Sequence, residues 1–384
     1  MGDKERYTDK LSKYVLVAAS VATCGLLCWY FRSILAYILV AVVVSLIAKP
    51  LMTFLQRIRI KGNKAPDWFL AVLTLTTVIG VLLSIITLII PIVSGILKDI
   101  SIANIENAAR SISAPLQELN RFLCGRFPGL GDDFRIELAI LKELQSVFDP
   151  SLFPSMIGSA ASLITNLAIG LFSVVFIGFF FIKDDGLFTE IVCALVPDRH
   201  EKETEKAISD IGHLLSRYFI GILIEISGVA LVNFIVLMFI AKLGLNASLG
   251  IAFLTGILNV IPYVGPFIGI VLGTTLGVLL KYSSVTPIGL DVNFWAFIAI
   301  LIAILWATQL IDNFLYQPVI YSTSIKAKPL EIFIVLLIVG HIGGAFAMII
   351  AIPCYTVIRV IASRFFGNIK AIRRLIPPES TLNE

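Results

Sequence analysis

The sequence predicts an all-α polytopic membrane protein with about eight hydrophobic segments, two of them broken in a way that suits re-entrant hairpins. Three observations predict it. Hydrophobic residues make up 58% of the 384 and charged residues only 15%, against roughly 45–50% and about 25% in soluble domains. Charge-free apolar runs recur at lengths near the roughly 20 residues a helix needs to cross a bilayer. Two later runs are too long for one crossing and carry Pro and Gly near their centres. Water cannot be the solvent of a chain with so much apolar surface and so little charge. The same composition excludes a disordered chain, a collagen, a coiled coil and a nucleic-acid binder. The cysteines Cys24, Cys28, Cys124, Cys193 and Cys354 form no CxxC and lack a histidine at ligand spacing, so they read as packing residues.

The first apolar run covers residues 14–31, and Arg32 separates it from a second at 33–48. So short a connector makes the two a helical hairpin. A signal peptide is the other reading of the first run, but no small-residue cleavage site follows it. A third run, 68–97, contains no charge, a fourth covers 150–182, and a fifth covers 218–241 with one acid, Glu225. Residues 294–310 form a plain span. The two long stretches are 248–280, broken around Pro262, Gly265 and Pro266, and 329–360, broken around Gly340, His341, Gly343 and Gly344. Proline removes an amide donor and glycine is permissive, so both interrupt helices.

Lysine and arginine in short loops orient the chain. The N-terminal tail, the connector with Arg57, Arg59, Lys61 and Lys64, and the C-terminal tail with Arg364, Lys370, Arg373 and Arg374 all belong on the cytoplasmic side. The broken stretches then either cross the membrane or return to their own side. Lys326 and Lys328 favour the hairpins, which yields an inverted repeat with breaks at matching places, the layout that points to a transport site. The resulting divisions are a membrane scaffold of three spans with a cytoplasmic N-terminus (1–97), an extracytoplasmic helical segment (98–154), the fourth span (155–182), a cytoplasmic helical arm (183–217), a transport unit (218–362) and a basic cytoplasmic tail (363–384).

Outside the membrane, Ile102, Ile105, Ala109, Ile112, Leu116, Leu119 and Leu123 repeat at spacings of three and four, a helical stripe. It packs on its own protein or makes an oligomer contact. A second helix is expected through Leu141, Leu144 and Phe148. In the cytoplasmic arm, Ile208, Ile211, Leu215 and Tyr218 share a face that leads into the fifth span; the charge run 199–206 is a solvated face, or a hinge or partner site.

No Walker P-loop, HExxH or GxSxG occurs, so neither ATP-driven pumping nor enzymatic catalysis is expected, and no cofactor or metal is implied. His200 and His213 read as surface residues, while His341 at the second break is structural or cavity-facing. The informative residues are polar groups at membrane depth, where an acid costs roughly 2.5–3.5 kcal/mol on insertion scales. Glu225 is one, with Asn233 on about the same face. Gln309, Asp312, Asn313 and Gln317 are spaced to share one helix face, followed by Pro318. That face lines a transport path, or lies at the interface from Asp312 onward. Asn259 adds an amide before the first break. Asp312 and Glu225 are the acids placed to take up a proton or sodium ion, with Glu331 the weaker third.

The string from Asn259 through Pro262 and Gly265 to Pro266, the group Gln309, Asn313, Gln317 and Pro318, the ending Gly340, Gly344 and Pro353, the run 179–185 and Gly221 together resemble the autoinducer-2 exporter family of bacterial transporters, over about residues 10–365. The resemblance implies a multi-pass protein of the bacterial inner membrane and a homo-oligomer. One branch of the family is linked to export of the furanone autoinducer-2, and others to sodium–proton exchange. Ile222 departs from the polar residue members often carry after the matching glycine, which bears on substrate rather than fold. The expected function is a secondary transporter exporting a small polar solute, autoinducer-2-like, coupled to a proton or sodium gradient. A sodium–proton antiporter and a passive channel or structural envelope protein are the alternatives. Substrate contacts are expected at Asn259, Pro262, Gly265, Pro266, Gln309, Asn313, Gln317 and His341, and ion coupling at Asp312 and Glu225.

Overall fold

The computed structural model describes residues 29–57, 59–60, 63–99, 102–126, 169–184, 186–194, 196–283, 288–318 and 329–366, with scattered positions between 15 and 27. The chain is all-α: apart from a two-residue ladder, every regular element is a helix. Among the described residues, six helices are long and apolar enough to cross a membrane, and three shorter apolar ones accompany them. The expected helix through Leu141, Leu144 and Phe148, and the fourth span before Ile169, lie outside the described residues.

Two compact units divide the chain, Met1–Val78 with Ser162–Glu190, and Ile79–Ala161 with Ile191–Glu384. In the first, α1 (Arg32–Arg57) leads through a ladder of β1 (Arg59–Ile60) and β2 (Asn63–Lys64) into α2 (Asp67–Asp99). The register pairs Arg59 with Lys64 and Ile60 with Asn63. Small residues let the helices approach: Ala41, Ala48, Ala71 and Thr74 are buried. A fourth helix, α4 (Ile169–Lys183), brings Gly178 against the Ala41 carbonyl and Leu75.

The second unit holds α3 (Ile102–Arg126), part of the short α5 (Leu187–Cys193), and then α6 (Glu201–Phe239). At 39 residues, α6 is about 58 Å long. Its first turns are polar, with Thr204, Ala207, Leu215 and Tyr218 buried; the rest is apolar. Lys242 and Gly244, both at positive φ (55° and 79°), turn the chain into α7 (Leu245–Leu258). After Asn259 to Tyr263 comes α8 (Val264–Ser283). Seen as one continuous helix, residues 251 and 273 would stand about 33 Å apart. Instead a Cβ at Gly273 would lie 3.3 Å from Ile251 and 3.1 Å from Thr255. The stretch is therefore an antiparallel helical hairpin, with its tip at the proline–glycine break. Gly269, Gly273 and Gly277 line one ridge of α8, against which Thr255, Leu305 and Leu301 pack. Small residues at four-residue spacing are the usual means of close helix approach where water supplies no driving force.

Next comes α9 (Phe294–Ile311), capped by the Asn293 side chain accepting from the Ala296 amide at 2.7 Å. It continues into a π-helical turn, Asp312–Tyr316. Ile251, Phe297, Leu301 and Leu305 are wholly or almost wholly buried in the core that α7, α8 and α9 share. Lys281 ties α8 to the segment before α9: its Nζ donates to the Leu290 carbonyl at 2.6 Å and sits 4.1 Å from the centre of the Phe297 ring. Of the stripe on α3, Leu116 packs on its own chain, buried with Phe294 beside Val278 and Tyr282.

The last helix, α10 (Pro329–Phe366), is broken at Gly344, where φ is 63° and ψ −156°. Tyr355 Oη donates to Glu331 Oε2 at 2.8 Å, whereas 24 residues of straight helix would separate them by about 36 Å. Ile332, Leu336, Ala351 and Ile352 bury one another across the fold. The second broken stretch is thus also a helical hairpin, with arms 329–343 and 345–366. Each of the two hairpins follows one long helix, α6 or α9.

Candidate functional site

Buried polar residues gather where α6, the first hairpin and the π turn meet. On α6, Glu225 is 2% exposed and Asn233 1%. They lie eight residues apart on the face that also buries Tyr218, Ile222 and Val229. Asn259 ends α7 at the hairpin tip and is buried. Its side chain and that of Gln309 on α9 hydrogen-bond reciprocally, Nδ2 to Oε1 at 3.4 Å and Nε2 to Oδ1 at 3.3 Å. Both bonds are long, so the pair is held loosely.

Asp312 is fully buried. Its Oδ2 accepts from Gln317 Nε2 at 2.8 Å. A π turn explains that pairing: the Gln317 amide bonds to the Asp312 carbonyl, five residues back, so residues five apart share a row. Such turns inside α-helices often mark functional sites. The Glu225 and Asp312 carboxyls face each other across the gap between α6 and the π turn, close enough to interact electrostatically. One oxygen of each, Glu225 Oε2 and Asp312 Oδ1, is buried without a protein partner.

Toward the base of the first hairpin, Asn233 Nδ2 donates to Thr255 Oγ1 at 2.9 Å, and Thr255 bonds back to the Ile251 carbonyl at 2.9 Å. Thr255 stands one turn before Asn259 on α7, a spacing that shares a face, and this was the available signal for a residue the sequence reading passed over. Asn233 Oδ1 and Ser248 Oγ, like Tyr218 Oη, are buried without a protein partner. Leaving such a group unsatisfied costs about 1–3 kcal/mol, which makes these atoms natural docking points for water, an ion or a polar solute.

The structure thus brings together Glu225, Asn233, Asn259, Gln309, Asp312 and Gln317, with Pro262 and Gly265 buried at the adjoining tip and Pro266 partly buried. It leaves out two expected members. Asn313 is exposed, flanked by Phe314 at 80% and Leu315 at 56%. The expectation that it shares a face with Gln309, Asp312 and Gln317 assumed α geometry; the π turn gives its row to Gln317. His341 is exposed on the second hairpin near the Gly344 bend. Glu331 instead holds that hairpin's arms together, accepting from Tyr355 and lying 3.8 Å from the Arg359 guanidinium. Asp210 on α6 pairs with Arg364 on the second arm, with Nε donating at 3.0 Å. Among the described residues no cluster of three or more His, Cys, Asp or Glu side chains is arranged to hold a metal.

Comparison with known proteins follows the same lines. A family model described as AI-2E family transporter matches residues 16–366. "Putative transport protein YueF" of Bacillus subtilis (strain 168) is 27% identical over 242 residues, covering 63% of this chain and 59% of that protein. "Putative transport protein YrrI" of the same organism is 26% identical over 196 residues, 50% of each. "Putative permease PerM" of Escherichia coli (strain K12) is 26% identical over 363 residues, 93% of this chain and 94% of that protein. The chain therefore spans little more than half the length of the two Bacillus relatives and nearly all of PerM.

Proposed function

We propose that this chain, which belongs to the AI-2E family of transporters, is a secondary transporter that exports a small polar solute across the bacterial cytoplasmic membrane. Its site is the polar layer at the tip of the first hairpin. The observation that carries this reading is the juxtaposition of a loose amide pair, Asn259 with Gln309, and a carboxyl pair, Glu225 with Asp312, inside an otherwise apolar helical unit. Amides offer donors and acceptors to hydroxyls and carbonyls, and their long mutual bonds exchange readily for bonds to a solute. The carboxyl pair supplies the coupling, as one proton is taken up or lost while Gln317 holds Asp312 in place. Polar solutes of the autoinducer-2 kind, rich in hydroxyls on a small ring, match such a site.

In this reading both hairpins are re-entrant and enter from opposite sides, so the α6 and α9 units form an inverted repeat with both termini cytoplasmic. Discontinuous helices of this type serve transport by exposing backbone groups and helix ends at mid-membrane. The protein works as a homo-oligomer whose exposed apolar faces meet lipid and neighbouring copies.

A second reading, sodium–proton antiport, draws on the same carboxyl pair, because a hard cation prefers oxygen ligands. Proteoliposomes carrying a pH-quenched dye separate the two. A solute exporter returns protons when the furanone autoinducer-2 or a related polyol is added and is silent to sodium alone. Dequenching by sodium without solute means antiport. Response to neither sinks both readings.

A further inference from the structure

Tyr218 is buried to 2% on the coupling face of α6, and its hydroxyl has no protein partner. It precedes Glu225 by two turns, about 10 Å along the helix, and lies within electrostatic range of that carboxyl. Asp210 lies eight residues further toward the start of α6 and pairs with Arg364 of α10. Tyr218 therefore stands between the Glu225–Asp312 pair and the Asp210–Arg364 end of the unit.

What covers Tyr218 is the second hairpin. Tyr218 is buried in one core cluster with Ile332 and Leu336 of one arm and Ala351 and Ile352 of the other, and Val260 of the first hairpin's tip packs against that cluster. A phenylalanine would fill that apolar setting equally well. Tyrosine instead places one hydroxyl, a donor and acceptor at once, in a pocket wall of aliphatic side chains. A buried polar atom without a partner in such a setting calls for a function or a mobile partner.

We propose that Tyr218 is the proton-relay residue connecting the Glu225–Asp312 pair to the Asp210–Arg364 end of the protein, with the α10 hairpin as the cover that admits water to it. The inference rests on the coupling role proposed for that pair. In the step, a hydronium ion reaching Tyr218 under the displaced hairpin gives a proton to the Tyr218 oxygen and leaves as neutral water, while the Tyr218 O–H passes its own proton to a second water that carries it across the roughly 10 Å to the Glu225 carboxylate. The hydroxyl is restored and one proton moves inward along α6. The titratable groups on the elements that pack with this part of α6 are Glu225 on α6 itself, Asp312 and Tyr316 on the π turn, Tyr263 at the first hairpin's tip, and Glu331, Tyr355 and Arg359 on the second hairpin. The last three pair with one another, and Asp210 pairs with Arg364; the Tyr316 hydroxyl lies against Gly228, beyond Glu225 along α6, so Tyr218 is the hydroxyl on the Asp210 side of the carboxyl pair.

The test uses the full chain in proteoliposomes and the substitution Tyr218→Phe, which keeps the ring. Proton movement driven by an imposed gradient, in the presence of autoinducer-2, is read across a range of pH. A relay predicts a rate reduced about tenfold or more, with an altered pH profile, in a variant whose thermal unfolding matches the wild type. A rate lowered by one factor at every pH, or left unchanged, overturns the relay. Hydroxyl-radical footprinting of the wild type, which needs no solute, gives a second reading. Tyr218 should be oxidised about tenfold faster than Phe297, which is equally buried in a dry core; equal inertness of the two overturns water access. Glu225→Gln and Asp312→Asn run alongside. If they abolish proton movement while Tyr218→Phe does not, the relay fails and the coupling site stands; if they too behave as wild type, the coupling reading itself has failed.

Discussion

Replacing Gly256 by alanine probes how the amide pair depends on the close approach of α6 and α7. A Cβ at position 256 would lie 3.0 Å from the Ile226 carbonyl oxygen and 3.0 Å from Ala230 Cβ. Neither atom can step aside, because one is helix backbone and the other is fixed directly to it. The helices must separate by a few tenths of an ångström. Overpacking of this kind costs about 1–3 kcal/mol, against about 1 kcal/mol gained from alanine over glycine in a helix. The net expectation is a loss of about 0–2 kcal/mol. Gly269→Ala is the control on the same hairpin, since its nearest atoms would be 3.7 Å away, an ordinary contact. Only the helical gain of about 1 kcal/mol remains there. Propensity cancels between the two variants, which should differ by about 1–3 kcal/mol in reversible unfolding by SDS in mixed micelles, followed by circular dichroism. Because Asn259 lies one turn beyond Gly256, Gly256→Ala should also lower solute flux, whereas Gly269→Ala should not. Equal stability of the two variants would refute the close-packing argument.

Three further expectations follow from the geometry. Asn259→Leu and Gln309→Leu, taken singly, each orphan a buried amide and should destabilise by about 1–3 kcal/mol, while the double variant falls well short of the sum; additive losses in the same unfolding assay would contradict the pairing. Cysteines replacing Glu331 and Tyr355 in a cysteine-free background should be joined by a short bifunctional thiol reagent, as mass spectrometry would detect; a straight α10 would hold them about 36 Å apart and give no product. Asp210→Ala should change thermal stability little, by about 0–1 kcal/mol, as the Asp210–Arg364 pair is partly exposed; a loss several times larger would mean the pair is a structural lock.

Much of this architecture was legible in the residues. Pro262, Gly265 and Pro266 announced the first hairpin and the glycines from Gly340 to Gly344 the second, because each removes or frees a backbone conformation that a helix needs. Glu225 and Asp312 stood out because an acid in an apolar helix demands a reason. Their meeting did not: nothing in one-dimensional spacing brings α6 to the end of α9. The exposure of Asn313 was also hidden, since the sequence pattern assumes 3.6 residues per turn and the π turn at Asp312 breaks that period. The glycine ridge 269, 273, 277 was readable as a small-residue row, yet its partners Thr255, Leu301 and Leu305 depend on tertiary packing. The ladder at Arg59–Ile60 passed unnoticed because the basic connector reads simply as a loop.

The central claim is that the Glu225–Asp312 pair couples solute movement to an ion gradient. Its most direct test is accumulation of isotopically labelled autoinducer-2 in proteoliposomes under an imposed proton gradient, compared among wild type, Glu225→Gln and Asp312→Asn, with reconstitution matched by protein content. Wild type should concentrate the solute beyond equilibrium, and each variant should fail to do so while remaining folded. Undiminished accumulation by Asp312→Asn, or equilibration without accumulation by the wild type, would contradict the account.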